Sequence, residues 1–245
     1  MQNEWFKDWF SSNYYLDVYN HRNENDAAQI VNLILSQISL KENSNILDAA
    51  CGIGRHAVKF AENKFNVTAF DLSKNLLSIA IQCAYDKNLK INFIVSDLRN
   101  FFVDEKFDLV ANLFTSFGYF ETDDENFKFV KHAFQMLNES GYYVLDFLNK
   151  EYLQKNIVPF SKKNIDGKRI LESRKIVNGR VNKEILISHK DNEVKFSESV
   201  RLYSYNELVR NFSQIGFKIF KSFGDYNGNK FDEKESKRCI IIFQK

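Results

Sequence analysis

Apolar residues at 27, 30, 31, 34, 35 and 38 recur at helical spacing and predict an amphipathic helix over 26–38. Short apolar runs then predict strands over 45–48, 66–70, 91–95, 107–113 and 142–147. Helical patterns lie between several of them. His56–Ala61 fits one helix, and Ser73 stands where it can cap another, whose apolar face is Leu76, Leu77, Ala80 and Ala84. Thr122 and Glu125 form a capping box ahead of Phe127, Val130, Phe134 and Leu137. Strands alternating with helices in this way predict a doubly wound α/β fold, with a mostly parallel sheet covered on both faces.

The rhythm changes after residue 156. Residues 167–177, 180–189 and 193–203 are three β-type runs joined by Asn178-Gly179 and Asp191-Asn192, and such short polar connections predict antiparallel hairpins. Ser204 with Glu207 then opens a helix carrying Leu208, Val209, Phe212 and Ile215, which Gly216 ends. Two last strands, 217–223 and 238–243, complete the sheet as an antiparallel pair. The expected division is an N-terminal arm and α/β core over 1–156, a small antiparallel β insertion over 157–203, and the rest of the core over 204–245. The arm holds Trp5, Phe6, Trp9, Phe10, Tyr14, Tyr15 and Tyr19, and its spacing starts as a helical turn.

Composition narrows the class. With 24 Phe and 11 Tyr in 245 residues the chain has ample apolar surface for a core, which excludes a disordered chain. No apolar run reaches the ~18 residues of a membrane span, and no secretory leader pattern is visible, so a cytoplasmic protein is expected. Cys51, Cys83 and Cys239 form neither a disulfide framework nor a zinc pattern. The net charge of +2 conceals an asymmetry: 13 Lys and Arg face 20 Asp and Glu over 1–149, but 11 face 4 over 150–190. That basic stretch reads either as a solvated hairpin surface or as an attractor for an anionic partner.

The densest chemistry lies in Asp48-Ala49-Ala50-Cys51-Gly52-Ile53-Gly54, a strand running into a glycine turn and a helix, with Asp71 ending the next strand. Gly52 and Gly54 permit close approach of a ligand to the backbone, and Asp71 suits two ribose hydroxyls. Gly52-x-Gly54-x-x-Ala57 also fits a dinucleotide fingerprint, so a nicotinamide-dependent oxidoreductase stays open on spacing alone. Electrostatics weighs against it, because Asp48 would repel a pyrophosphate at the turn. Asp48, Asp71 and Asp97 end three successive strands, a set that suits a cationic nucleoside.

On these residues the chain resembles the class I S-adenosylmethionine-dependent methyltransferases, in particular bacterial small-molecule types with a β insertion after strand five. The resemblance implies a seven-stranded Rossmann-like sheet and S-adenosyl-L-methionine as cofactor. It places the 48–54 loop against the methionine part, Asp71 with Leu72 at the ribose, Asp97 with Leu98 around the adenine, and Leu113 beside the cofactor. Ala50 departs from the family's usual glycine. Asn112-Leu113-Phe114-Thr115 lacks the Pro-Pro signature of enzymes that methylate exocyclic amines of bases, and no metal-ligand spacing is present.

The expected reaction is methyl transfer to an N or O atom of a small molecule. Tyr119, after strand four, is expected at the acceptor; Tyr14, Tyr15 and Tyr19 read either as a lid over the cofactor or as an arm packed on the core, and Arg22 either as a donor to the cofactor carboxylate or as a surface arginine. Asn149 and the Asp225-Tyr226 loop are weaker candidates, and the four histidines are scattered. Lys168, Arg169, Arg174 and Arg180 are the candidate partners if the acceptor carries a carboxylate or phosphate. A nucleic-acid partner is disfavoured, since Tyr152 and Phe160 are the only aromatic residues near that charge.

Overall fold

The computed structural model describes residues 4–19, 24–190 and 192–245. The chain opens with helices α1 (Trp5–Ser11), α2 (Tyr14–Val18) and α3 (Glu24–Gln37). It then alternates through β1 (Asn45–Ala49), α4 (Arg55–Glu62), β2 (Asn66–Asp71), α5 (Lys74–Asp86), β3 (Ile91–Val95), β4 (Phe107–Asn112), α6 (Asp123–Met136) and β5 (Leu137–Leu148). A short α7 (Lys150–Asn156) leads to β6 (Phe160–Ile165), β7 (Lys168–Val177), β8 (Arg180–His189) and β9 (Asn192–Arg201). Helix α8 (Tyr205–Ile215), β10 (Lys218–Phe223) and β11 (Arg238–Gln244) finish it.

Local chemistry sets the helix starts. Ser73 Oγ accepts from the Leu76 backbone N–H, and complete capping boxes stand at Thr122–Glu125 and Ser204–Glu207. Each satisfies backbone donors that the first helical turn leaves without intrahelical partners.

Seven strands form one sheet in the order β10-β11-β5-β4-β1-β2-β3, parallel except where β11 runs antiparallel to both β5 and β10. This is the doubly wound arrangement expected from the alternation. Strand β5 begins five residues earlier than the apolar pattern indicates, because Leu137 pairs with Phe107 across a register shift before Tyr142 resumes the regular ladder. Apolar clusters cover both faces, one around Phe107, Phe129 and Phe212, the other around Ile34, Phe60 and Ile240.

Strands β6 to β9 form a separate antiparallel sheet in sequential order. Its first member, Phe-Ser-Lys-Lys-Asn-Ile, carries no apolar signal, since it lies at an edge with alternate residues exposed. Helices α1 and α2 lie between the two sheets' elements. Trp9 is fully buried and shares a cluster with Ile170, Ile185 and Ile187 of the second sheet, while Ser73 Oγ and Asn75 Nδ2 donate to the carbonyls of Phe10 and Ser11.

Candidate active site

Strand order reverses between β1 and β4, and the loops that follow these two strands, 50–54 and 113–116, both contribute to the cavity there. Such a switch point is where wound sheets bind ligands. A cavity of about 340 Å³ opens at that place, bounded by the strand ends, the aromatic arm and one face of the second sheet. Its size lies within the ~300–1,000 Å³ usual for small-molecule sites.

The glycine loop is held by the next strand. Cys51 N–H donates to the Phe70 carbonyl at 2.9 Å and Gly52 N–H to Asp71 Oδ2 at 2.8 Å. Ser73 N–H donates to Asp71 Oδ1, also at 2.8 Å, so the carboxylate is fixed at the cavity wall. Burial raises the Asp71 pKa, opposed by these backbone N–H groups. Gly52 (φ +57°) faces the cavity, and a Cβ placed on it would meet nothing within 4 Å. Gly54 does something else: its Cβ would lie 2.9 Å from Ala80 Cβ, so its role is close packing of α4 on α5. Ala50 lines the cavity with φ at +54°, the left-handed conformation that accounts for a glycine preference at such a position.

The other two acidic residues are placed differently from Asp71. Asp48 is 1% exposed and does not line the cavity. It receives a backbone hydrogen bond from Ala57 behind the loop, its Oδ2 has no partner among the described residues, and burial pushes its pKa up to about 8. Asp97 does line the cavity but is paired with Arg99, whose Nη2 lies 2.7 Å from Oδ2 and whose backbone N–H and Nε both donate to Oδ1. Arg99 Nη2 also reaches Glu4 Oε1 at 2.6 Å, tying that strand end to the arm.

Leu72, Leu98, Leu113 and Tyr119 all border the cavity. The Tyr119 ring packs on those of Trp5 and Phe10, at 5.1 and 5.7 Å between centroids. Tyr15 and Tyr19 line the cavity, whereas Tyr14 turns to Phe196 and Lys168 outside it. Arg22 and His21 lie outside the described residues. Asn149 is structural, its Nδ2 donating to the carbonyls of Glu233 and Ser236 at 2.9 and 2.7 Å.

Of the four basic candidates only Arg174 reaches the cavity, and it is paired with Glu172 at 2.7 Å. Lys168 pairs with Asp17, Arg169 is exposed, and Arg180 donates to the carbonyls of Tyr119 and Phe120, fastening that loop. Sequence reasoning missed Glu172, Lys183 and Glu198, which line the cavity from the second sheet. Lys183 Nζ lies 2.6 Å from Glu172 Oε1, 3.1 Å from Tyr19 OH and 3.9 Å from Glu198 Oε2. Trp9 Nε1 and Tyr19 OH both donate to Glu198 Oε1 at 2.6 Å. Burial would raise the Glu172 pKa, but Lys183, Ser161 and Arg174 outweigh it and hold the group at about 2. The available signal was the period-two alternation of these strands, which sends 172 and 174, 181 and 183, and 198 and 200 to one face. No cluster of His, Cys, Asp or Glu able to hold a metal occurs among the described residues, and no helix there is long and apolar enough to cross a membrane.

Residues 46–141 match the family described as "Methyltransferase domain". A dTDP-3-amino-3,4,6-trideoxy-alpha-D-glucopyranose N,N-dimethyltransferase of Streptomyces venezuelae is 32% identical over 41% of this chain and 40% of its own length. A glycine/sarcosine N-methyltransferase of Parasynechococcus marenigrum is 28% identical over 76% of this chain and 68% of its own. This chain spans less than half the length of several curated relatives that it matches. A crystal structure of an S-adenosylmethionine-dependent methyltransferase from Clostridium acetobutylicum superposes with a TM-score of 0.82 at 19% identity, covering 94% of this chain and 95% of that one, a likeness of fold. Residues 46–141 thus resemble a methyltransferase domain, and the chain shares the fold of the Clostridium acetobutylicum S-adenosylmethionine-dependent methyltransferase.

Proposed function

We propose that this chain is an S-adenosylmethionine-dependent methyltransferase acting on an N or O atom of a small molecule. The carrying observation is the open cradle at Gly52 beside the fixed carboxylate of Asp71. A residue without a side chain faces empty space there, and an acceptor of hydrogen bonds stands next to it. Those features fit the aminoacyl chain and ribose of the cofactor, with Leu72, Leu98 and Leu113 as apolar wall. Bound S-adenosylmethionine supplies a methyl group that an acceptor lone pair attacks as the C–S bond breaks, its electron pair staying on sulfur and the acceptor's proton passing to solvent.

The chain's own residues supply alignment and exclusion of water. The arm does the latter: Trp5, Phe6 and Phe10 cover the cavity beside Tyr119. Both relatives described above carry N-methyltransferase names, which supports nitrogen over oxygen. The basic 150–190 stretch lends an anionic acceptor no support, because Arg174 is already paired and the other three candidates face away. We read 157–203 as an insertion that forms the acceptor wall.

The test is calorimetry with S-adenosylhomocysteine. Each hydrogen bond from the cofactor to a charged group is worth ~1.5–3 kcal/mol, so Asp71→Ala is expected to weaken binding at least about tenfold. NAD should not bind. Absence of S-adenosylhomocysteine binding to the unaltered protein would refute the reading.

A further inference from the structure

Helix α1 is fastened differently at its two ends. Near its C-terminal end Ser73 Oγ and Asn75 Nδ2 donate to the carbonyls of Phe10 and Ser11, and Trp9 Nε1 donates to Glu198. At its N-terminal end the tie to the core is ionic: Glu4 Oε1 lies 2.6 Å from Arg99 Nη2, while Lys7 meets Glu4 Oε2 at 2.5 Å. Trp5 and Phe6, in the turn that follows, line the cavity together with Asp97 and Leu98. Their rings pack on Tyr119 and Phe120. That seat carries a cost, because Trp5 Nε1 is buried with no partner among the described residues. A buried donor left without a partner forfeits its hydration, and it recovers that hydration when the indole reaches water. The first turn of α1 is therefore held by ring packing and one ion pair to the core, against a standing tendency to lift.

Arg99 does not line the cavity but stands behind it, its guanidinium 4.6 Å from the centre of the Phe120 ring. Its backbone N–H and Nε donate to Asp97 Oδ1, and its Nη2 is shared between Asp97 Oδ2 and Glu4 Oε1, at 2.7 and 2.6 Å. Glu125 Oε1 is more distant, 3.5 Å from Nη1, and its Oε2 is committed to Thr122 at the start of α6. A carboxylate has about four acceptor sites. Three bonds from Arg99 therefore leave Asp97 one site, on Oδ2, at the cavity wall. A donor arriving there competes for the oxygen that holds Nη2, which shifts Nη2 towards Glu4. By linkage, occupation of Asp97 and attachment of Glu4 favour one another.

Resting on the methyltransferase reading, we propose that Arg99 is a positioning residue that joins cofactor binding to closure of the arm. It presents Asp97 as an acceptor to the amino group of the cofactor's base and, through Glu4, fastens the first turn of α1 over the bound nucleoside. Release of the nucleoside then requires Glu4 to let go, while the other end of α1 stays anchored on α5 and the second sheet.

The experiment needs no methyl acceptor. Tritium-labelled S-adenosylhomocysteine is bound to the full chain and chased with excess unlabelled compound, which gives the dissociation rate. Stopped-flow tryptophan fluorescence gives the association rate and reports on the arm, since Trp5 and Trp9, the two tryptophans of the chain, both lie on α1. The isosteric Glu4→Gln removes the charge that holds Arg99 without touching the cavity wall. It is expected to raise the dissociation rate at least about tenfold and to leave the association rate no slower. Lys7→Met loosens Glu4 from its own helix but keeps the tie to Arg99, so its dissociation rate should stay within about twofold of the unaltered protein. A rise below about tenfold in Glu4→Gln, slower association in that variant, or a larger change in Lys7→Met overturns the proposal. Arg99→Met strands three carboxylates and can fail to fold, so Glu4→Gln decides. Failure of the unaltered protein to bind S-adenosylhomocysteine refutes the methyltransferase reading instead.

Discussion

Half-buried Arg238 lies against the fully buried Asp146, its Nη2 2.7 Å from Oδ1, and the pair clamps two consecutive left-handed residues that line the cavity. Phe114 (φ +54°) and Thr115 (φ +68°) both carry side chains in a conformation that costs about 1–2 kcal/mol each. Asp146 Oδ2 accepts from Phe114 N–H, the Asp146 carbonyl accepts from Thr115 N–H, and Arg238 Nη2 donates to Thr115 Oγ1. Tyr226 OH completes the set on Asp146 Oδ2 at 2.9 Å. Strain in the loop after β4 is thus offset by an ion pair on β5 and β11.

Arg238→Met is expected to leave Asp146 as an uncompensated buried charge and to destabilise the protein by about 3–5 kcal/mol. Urea unfolding measures it. Combining Arg238→Met with Asp146→Leu should recover part of that loss, and a fully additive double mutant would argue against the coupling.

Asp48 gives the protein a distinctive pH response. Its pKa is raised, chiefly by burial, from 3.8 to about 8, so across that interval the native state holds a proton that the unfolded chain releases. Stability contributed by this group is complete below pH ~4 and falls as pH rises towards 8, by at most ~1.4 kcal/mol per unit. Asp48→Asn removes the penalty. Its stability relative to the unaltered protein should climb between pH 5 and 8, and a constant gap by chemical denaturation would show that Asp48 is not protonated in the fold.

Gly52→Ala and Gly54→Ala should separate cleanly. Both sites have positive φ, but only Gly54 has a neighbour in the way, at 2.9 Å. Gly52→Ala is expected to lose about 1–2 kcal/mol of stability from backbone strain and at least about tenfold in S-adenosylhomocysteine affinity. Gly54→Ala adds a clash between α4 and α5, so its melting temperature should fall further. Equal melting temperatures with equal affinities would contradict the assignment of the two glycines.

Tyr119→Phe keeps the ring packed against Trp5 and Phe10 and removes only the hydroxyl from the cavity wall. Turnover on the acceptor should fall by about tenfold or more while cofactor affinity is nearly unchanged. A matching collapse of cofactor binding would place the residue at the other end of the cavity.

The sequence by itself determined the features that are local in cause. Helical and strand periodicities reflect side-chain geometry within a few residues, and the caps at Ser73, Thr122 and Ser204 act within three positions. The glycine turn and Asp71 were legible for the same reason, since one strand, one loop and the next strand end bring Gly52 and Asp71 together. Tertiary structure decided the rest. Whether Asp48 faces ligand or the back of the loop depends on α4, and only the packed arm brings Glu4 to Arg99, 95 positions away. The charged face of the second sheet was illegible because alternation assigns residues to faces without saying which face is covered. Only packing of the arm on the second sheet brings Trp9 to Glu198, 189 positions away, and turns a row of scattered charges into one wall.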